Sequence, residues 1–178
     1  MLRAVVYSLL LITGSTVLSI ADPGISQWNT AATYHHGFLI AHHPKMVHLQ
    51  TGKVNAFEIE TGKMTNGSSP WHHYYNFPSV GITASYWDLS NSEVLGNIIS
   101  IAPYLDMRLN KDARIGIYFK GACGIGLISE KFDADENYKN NAVSTSVNVN
   151  LMIHPSVQFK LSERMFVRTG PSLTHFSN

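Results

Sequence analysis

The chain carries one cysteine, Cys123, in 178 residues. No intramolecular disulfide can form, so hydrogen bonding and packing must hold the fold, and the thiol reads as a small apolar packing residue. Charge is scarce as well. Asp, Glu, Lys and Arg make up 14% of the chain, against roughly 25% in soluble domains. Gly, Ser, Thr, Asn and aromatic residues are plentiful instead, a bias toward strands and turns. No stretch approaches the ~18 consecutive apolar residues of a membrane-crossing helix, so residence in a membrane would require a barrel. Solenoid repeats and low-complexity tracts are absent. The nine histidines have neither a cysteine partner nor a regular spacing that would suggest zinc. Their doublets, His35-His36, His42-His43 and His72-His73, would point to opposite faces of a strand, which argues against two ligands on one ion. No metal or other cofactor is expected.

The first 21 residues have the pattern of an export signal: Arg3 in a short basic region, an apolar run from Ala4 to Ile12, and Ser19 and Ala21 at the −3 and −1 positions of a cleavage site. The expected organisation is therefore a signal over 1–21 and a single β-domain over 22–178. Removing the signal takes away one of the 13 basic residues and none of the 12 acidic ones. The remainder balances, and a nucleic-acid partner is not indicated.

What the sequence does have is period-two alternation. From Val143 to Leu161 the odd-numbered positions are almost all apolar (Val147, Val149, Leu151, Ile153, Val157, Phe159), whereas Ser144, Ser146, Asn148, Asn150, His154, Ser156, Gln158 and Lys160 share the other face, broken only by Met152. Similar strands are predicted over Arg114–Leu127 and Ile99–Leu109, with weaker ones at Val54–Glu60, Val80–Trp87 and His36–Ile40, and a last one over Met165–Asn178. Asn110-Lys111-Asp112 and Leu161-Ser162-Glu163-Arg164 supply tight turns. The longer polar segments Thr61–Pro70 and Asp133–Asn141 suit the extracellular loops of a barrel.

Antiparallel strands with one apolar face fit a soluble sandwich or lipocalin-like barrel with that face inside, or a transmembrane barrel with it outside. Alternating runs of about 14 to 19 residues are long for a sandwich, where about 5–6 is usual, and the export signal and the aromatic segment Trp71–Phe77 also favour the membrane. The expected fold is an all-β, antiparallel outer-membrane β-barrel. Counting gives seven strands, whereas bacterial barrels have an even number, at least eight. The domain is therefore expected to lack a strand, as a fragment or truncated reading frame would.

Near the end stands Leu173-Thr174-His175-Phe176-Ser177-Asn178. Residues two apart on a strand share a side, with Cα atoms roughly 6.6 Å apart. His175 and Ser177 would thus be neighbours on the face of Met165, Val167 and Leu173, with the spacing of a base and its nucleophile. A polar pair on an apolar face is costly unless it has a role.

His175-Phe176-Ser177-Asn178 resembles the H-x-S-N signature of the lipid A 3-O-deacylases (PagL type), grouped with acyloxyacyl hydrolases. Tyr75-Asn76-Phe77-Pro78 with Gly81, Glu93-Val94-Leu95-Gly96-Asn97, and Lys131-Phe132-Asp133 with Asn137-Tyr138 are similar to features of its longer members, so the resemblance runs from about His35 to the last residue. It implies an eight-stranded barrel in the cell outer membrane whose active site lies on the outer wall, facing lipid. It further implies an esterase acting on lipid A or lipopolysaccharide, with His175 as general base, Ser177 attacking the ester carbonyl of a 3-linked acyl chain, and Asn178 helping to hold the oxyanion. Outer-membrane lipids are the implied partners; self-association is left open. In the family the acidic triad member lies downstream of this motif on the following strand, and the sequence here stops at Asn178, so no residue takes that role and the resemblance implies a domain that is C-terminally incomplete, truncated before its closing strand. Glu58, Glu60, Glu93 and Glu163 lie upstream and match nothing in the motif. Two readings compete with the deacylase: a non-enzymatic outer-membrane barrel, structural or adhesive, and a secreted barrel that binds a lipid inside.

Overall fold

Side-chain alternation along eight strands builds a closed antiparallel barrel in the computed structural model, which describes residues 9–21, 28–41, 43–110, 115–162 and 164–177. The strands are β1 (Leu9–Ala21), β2 (Trp28–Ile40), β3 (Val54–Met64), β4 (Ser79–Asp88), β5 (Asn97–Arg108), β6 (Gly116–Ile128), β7 (Val147–Lys160) and β8 (Met165–Ser177). Each pairs with its neighbours in sequence, and β1 pairs with β8 to complete the ring. Strands of 10 to 14 residues meet the ~9–11 needed to cross a bilayer as a tilted barrel wall.

The apolar face is outside. Phe57 and Ile59 on β3 are each 64% exposed, Ile99 on β5 is 61% exposed, and Ile125 on β6 is 50% exposed. A solitary exposed leucine would need no explanation, but rows of Ile, Leu, Val and Phe around a whole wall require an apolar solvent. A barrel with an apolar interior, as the secreted lipid-binding reading requires, is thereby overturned.

The inside is polar and filled. Lys120 reaches Glu58 at 2.6 Å and also bonds Glu60. Glu58 additionally takes a hydrogen bond from the Thr83 hydroxyl and lies 2.8 Å from Nε2 of His35. Arg168 pairs with Asp106, donates through Nε to Gln158 at 2.7 Å, and lies over the Tyr118 ring at 3.9 Å. Charges buried this deeply persist because each has a partner. One end of the lumen is closed differently, by a buried apolar cluster that includes Leu11, Leu39, Val54, Trp87, Ile98 and Phe176. Met46 and Leu49, from a 3-10 turn over Pro44–Leu49, and Ala142 and Val143, from the β6–β7 connection, cap that cluster.

Several expectations are corrected. The wall has eight strands rather than seven and is closed rather than open, because Leu9–Ala21, within the stretch read as an export signal, forms β1. Its alternation is hidden among apolar residues: Leu11, Thr13, Ser15 and Val17 point inward while Gly14, Thr16 and Leu18 face outward. Thr13 then bonds His35 at 3.3 Å and also Ser172, and Ser15 donates to the Gly170 carbonyl at 2.8 Å. Thr61–Pro70 and Asp133–Asn141 do not lie at one end. Thr61–Met64 continue β3, and the connection 65–78 leaves the barrel at the end opposite 129–146. Strand β7 begins at Val147 rather than Val143, since Asn140 Oδ1 holds the Ala142 and Val143 amides and turns that segment into the apolar cap. Cys123 faces outward and is exposed, because in this wall the apolar side is the outer one.

Two predictions follow from closure and filling. Lys120→Met strands two buried carboxylates and should cost roughly 3–5 kcal/mol, read by urea unfolding of the refolded barrel, whereas Lys120→Met combined with Glu58→Gln and Glu60→Gln should recover most of the loss. A chain lacking residues 1–21 has lost β1 and should fail to give the compact, heat-modifiable band of a closed barrel on SDS gels; a compact band would show that the wall closes without β1.

Candidate functional site

The side on which each residue of β8 faces is decided by Phe176. Its ring is fully buried, edge-on to Trp87 at 6.1 Å between centroids. It also presses on Gly126, where any Cβ would come within 2.7 Å of the ring. Since strand side chains alternate, burying Phe176 sends His175 and Ser177 to the outer wall, where both are half-buried. A register slip by one residue would reverse this arrangement.

On the β7 side His175 stands opposite Leu151 and Ser177 opposite Val149. Toward β1, His175 stands opposite Leu10. Neither β7 nor β1 contains an Asp or Glu, so neither flanking strand offers a carboxylate to His175. Glu58 and Glu60 point into the lumen and are held there by Lys120. Glu93 lies in the β4–β5 connection. Asn178 and Glu163 lie outside the described residues.

Beside His175 the outer wall is dented. A groove of about 680 Å³ is lined by His175 and Leu173 on β8, Leu151 and Ile153 on β7, Gly121 and Cys123 on β6, and Pro103 and Leu105 on β5. The dent exists because the outward row of β6 drops from Phe119 to Gly121 and Cys123 before rising again at Ile125. The outward side chains that line it are hydrocarbon except for the imidazole and the thiol, and Tyr104, Ala122 and Met152 also border it.

A family model for lipid A 3-O-deacylase (PagL) matches residues 55–178. The chain belongs to that family. The match runs from the second residue of β3 through β8 and the His175–Asn178 motif, and it begins later than the resemblance traced from His35, leaving β1 and β2 outside. No curated protein and no solved structure matches.

Two segments that resemble the deacylases, far apart in sequence, meet at the capped end of the barrel. Asn137 and Asn140 both donate to the Val94 carbonyl, at 3.0 and 2.9 Å, and Asn137 also donates to Lys131 at 3.1 Å. The β6–β7 connection that carries them runs directly into Val147 and Val149, beside Ser177. They are ties between loops.

Sequence reasoning missed a second histidine arrangement. His35 has Glu58 on Nε2 at 2.8 Å and the Ser172 hydroxyl on Nδ1 at 3.2 Å, the members of a Ser-His-Glu set. It is sealed: His35 is 0% exposed, Glu58 1% and Ser172 2%. A lipid ester has no path to it, and its hydroxyl is already engaged by Thr13. Its residues come from β2, β3 and β8, so no local spacing announces it. The doublet containing His35 is split across the wall as alternation requires, with His36 outside and its Nδ1 2.8 Å from Asn55 Oδ1.

If Phe176 sets which way β8 faces, Phe176→Ala should cost roughly 3–5 kcal/mol, measured by chemical unfolding in detergent. Met at that position should recover part of the loss.

Proposed function

We propose that this chain is an outer-membrane esterase that removes a 3-O-linked acyl chain from lipid A, with Ser177 as nucleophile and His175 as general base. Membership of the lipid A 3-O-deacylase family over residues 55–178 is the observation that carries the reading. The outer-wall position of the pair supports it in physical terms. A substrate dissolved in the bilayer meets the barrel only from outside, and the pair lies there next to a hydrocarbon groove. The end nearer Ser177 bears the connections 41–53, 89–96 and 129–146, and the other end bears 65–78, 109–115 and 161–164. Residues 1–21 direct export in this proposal, and processing after Ala21 decides whether β1 stays in the wall.

The chemistry follows from the two side chains. The Ser177 hydroxyl attacks the ester carbonyl as His175 takes its proton. Negative charge develops on the carbonyl oxygen, where Asn178 would donate a hydrogen bond. His175 then returns the proton to the departing 3-oxygen of the sugar, leaving an acyl-serine. Water, deprotonated by the same imidazole, releases the fatty acid and restores Ser177. Low dielectric strengthens each of these interactions.

The full chain refolded in detergent should release a hydroxyacyl chain from lipid A, and mass spectrometry of the lipid should detect the loss. Ser177→Ala and His175→Ala should abolish it. Lipid A left intact by the unaltered chain, with the barrel folded, would favour the non-enzymatic barrel.

A further inference from the structure

We propose that the lumen mouth at the end opposite Ser177 is a separate binding site, a cup that takes a neutral sugar the size of a hexose. It uses other residues than the deacylase reading and does not depend on it. The parity that turns His175 outward turns Phe166 and Arg168, at the start of β8, toward the lumen. Asp106 on β5, Tyr118 on β6 and Gln158 on β7 meet them there, and Asn29 on β2 and Ser79 on β4 complete the ring around a cavity of about 330 Å³. Ligand sites usually measure roughly 300–1,000 Å³, so this volume selects a small ligand.

Two features mark the cup as built for a ligand. The first is its acceptors. Asp106 is buried and one carboxylate oxygen is held by Arg168, but its Oδ1, like Oδ1 of Asn29, has no hydrogen-bond partner among the described residues. Buried acceptors are normally paired, and a ligand that brings hydroxyl donors pairs them. The second is the rim. Asn76 and Phe77 both have left-handed backbones, with φ of 56° and 54°, which is a genuine outlier for a residue as bulky as Phe. Strain of this kind collects at ligand clamps. The Phe77 amide donates to the His72 carbonyl at 2.7 Å and Asn76 Nδ2 to the Asn110 carbonyl at 3.4 Å, and the turn so held puts both residues in the lining of the cup. Tyr75-Asn76-Phe77-Pro78, far from His175, thereby acquires a role. The chemistry of the lining then selects the ligand. Arg168 neutralises Asp106, so an ammonium ion would meet the guanidinium and an anion would meet the carboxylate. A neutral polyol satisfies both: its hydroxyls donate to Asp106 and Asn29 and accept from Arg168 and the Tyr118 hydroxyl, while a C–H face lies on the electron-rich ring of Phe77 or Phe166. A pyranose has all three parts.

The test uses the full chain refolded in an amine-oxide detergent, which has no sugar headgroup to compete, and titrates it with D-glucose, D-galactose and D-mannose by saturation-transfer NMR. At least one hexose should bind saturably. Asn29→Ala, which removes one acceptor at the mouth, should weaken that binding by about fivefold, and Asn29→Phe, which fills the mouth, should abolish it; the heat-modifiable band on SDS gels shows that each variant is folded. Ser177→Ala should bind as the unaltered chain does, so that loss of esterase activity and loss of sugar binding are read separately. No saturable binding of any of the three hexoses to the folded barrel, or binding that survives Asn29→Phe, overturns the proposal. Binding of glucuronate or of choline in place of the neutral hexoses overturns the assignment of a neutral sugar.

Discussion

Lipid offers no hydrogen bonds, so a wall standing in it must pair its backbone groups within itself and close. Most of this molecule is a consequence of that constraint. Closure fixes the register of all eight strands, and register fixes which side chains face hydrocarbon and which face the lumen. Polar residues sent inward must find one another, as Lys120 does with Glu58 and Glu60. Residues sent outward have only lipid for company unless a ligand supplies something better. Chemistry aimed at a membrane lipid therefore has one place to be, on the outer wall. The proposed pair, His175 and Ser177, needs a strand that does not turn over, and Phe176, wedged between Trp87 and Gly126, holds it.

Much of the wall is legible in the sequence because alternation is a local property. The run ending at Lys160 shows its two faces plainly, and placing His175 and Ser177 on the apolar face required only the parity of β8. Strand β1 was not legible for a physical reason. An inward set of Leu11, Thr13, Ser15 and Val17 within a stretch rich in Leu, Ile and Val suits an export signal and a strand alike, and the strand shows only in its contacts with His35, Ser172 and Gly170. The first half of β2 was missed because its inward residues, Ala31 and Thr33, are too small to mark a face. The interior charge network was not readable either, since Lys120 and Glu58 are 62 residues apart.

The site was legible in part. Parity gave the outward face on which His175 and Ser177 stand, and the motif gave the role proposed for them. The groove was hidden, because it is made by absence: two small residues on β6 matter only when Leu151, Ile153 and Leu105 are known to stand beside them. Cys123 illustrates the same point. Read as a packing residue, it does lie among apolar neighbours, but on the side where the neighbour is lipid.

The central claim is that Ser177 reacts with an acyl ester from the lipid side of the wall. Incubating the refolded full chain with lipid A, quenching in acid and mapping its peptides by mass spectrometry tests this directly. The account predicts a hydroxyacyl adduct on the peptide containing Ser177 and none in Ser177→Ala. Release of the acyl chain with no adduct at Ser177, or with an adduct on another residue, would contradict it.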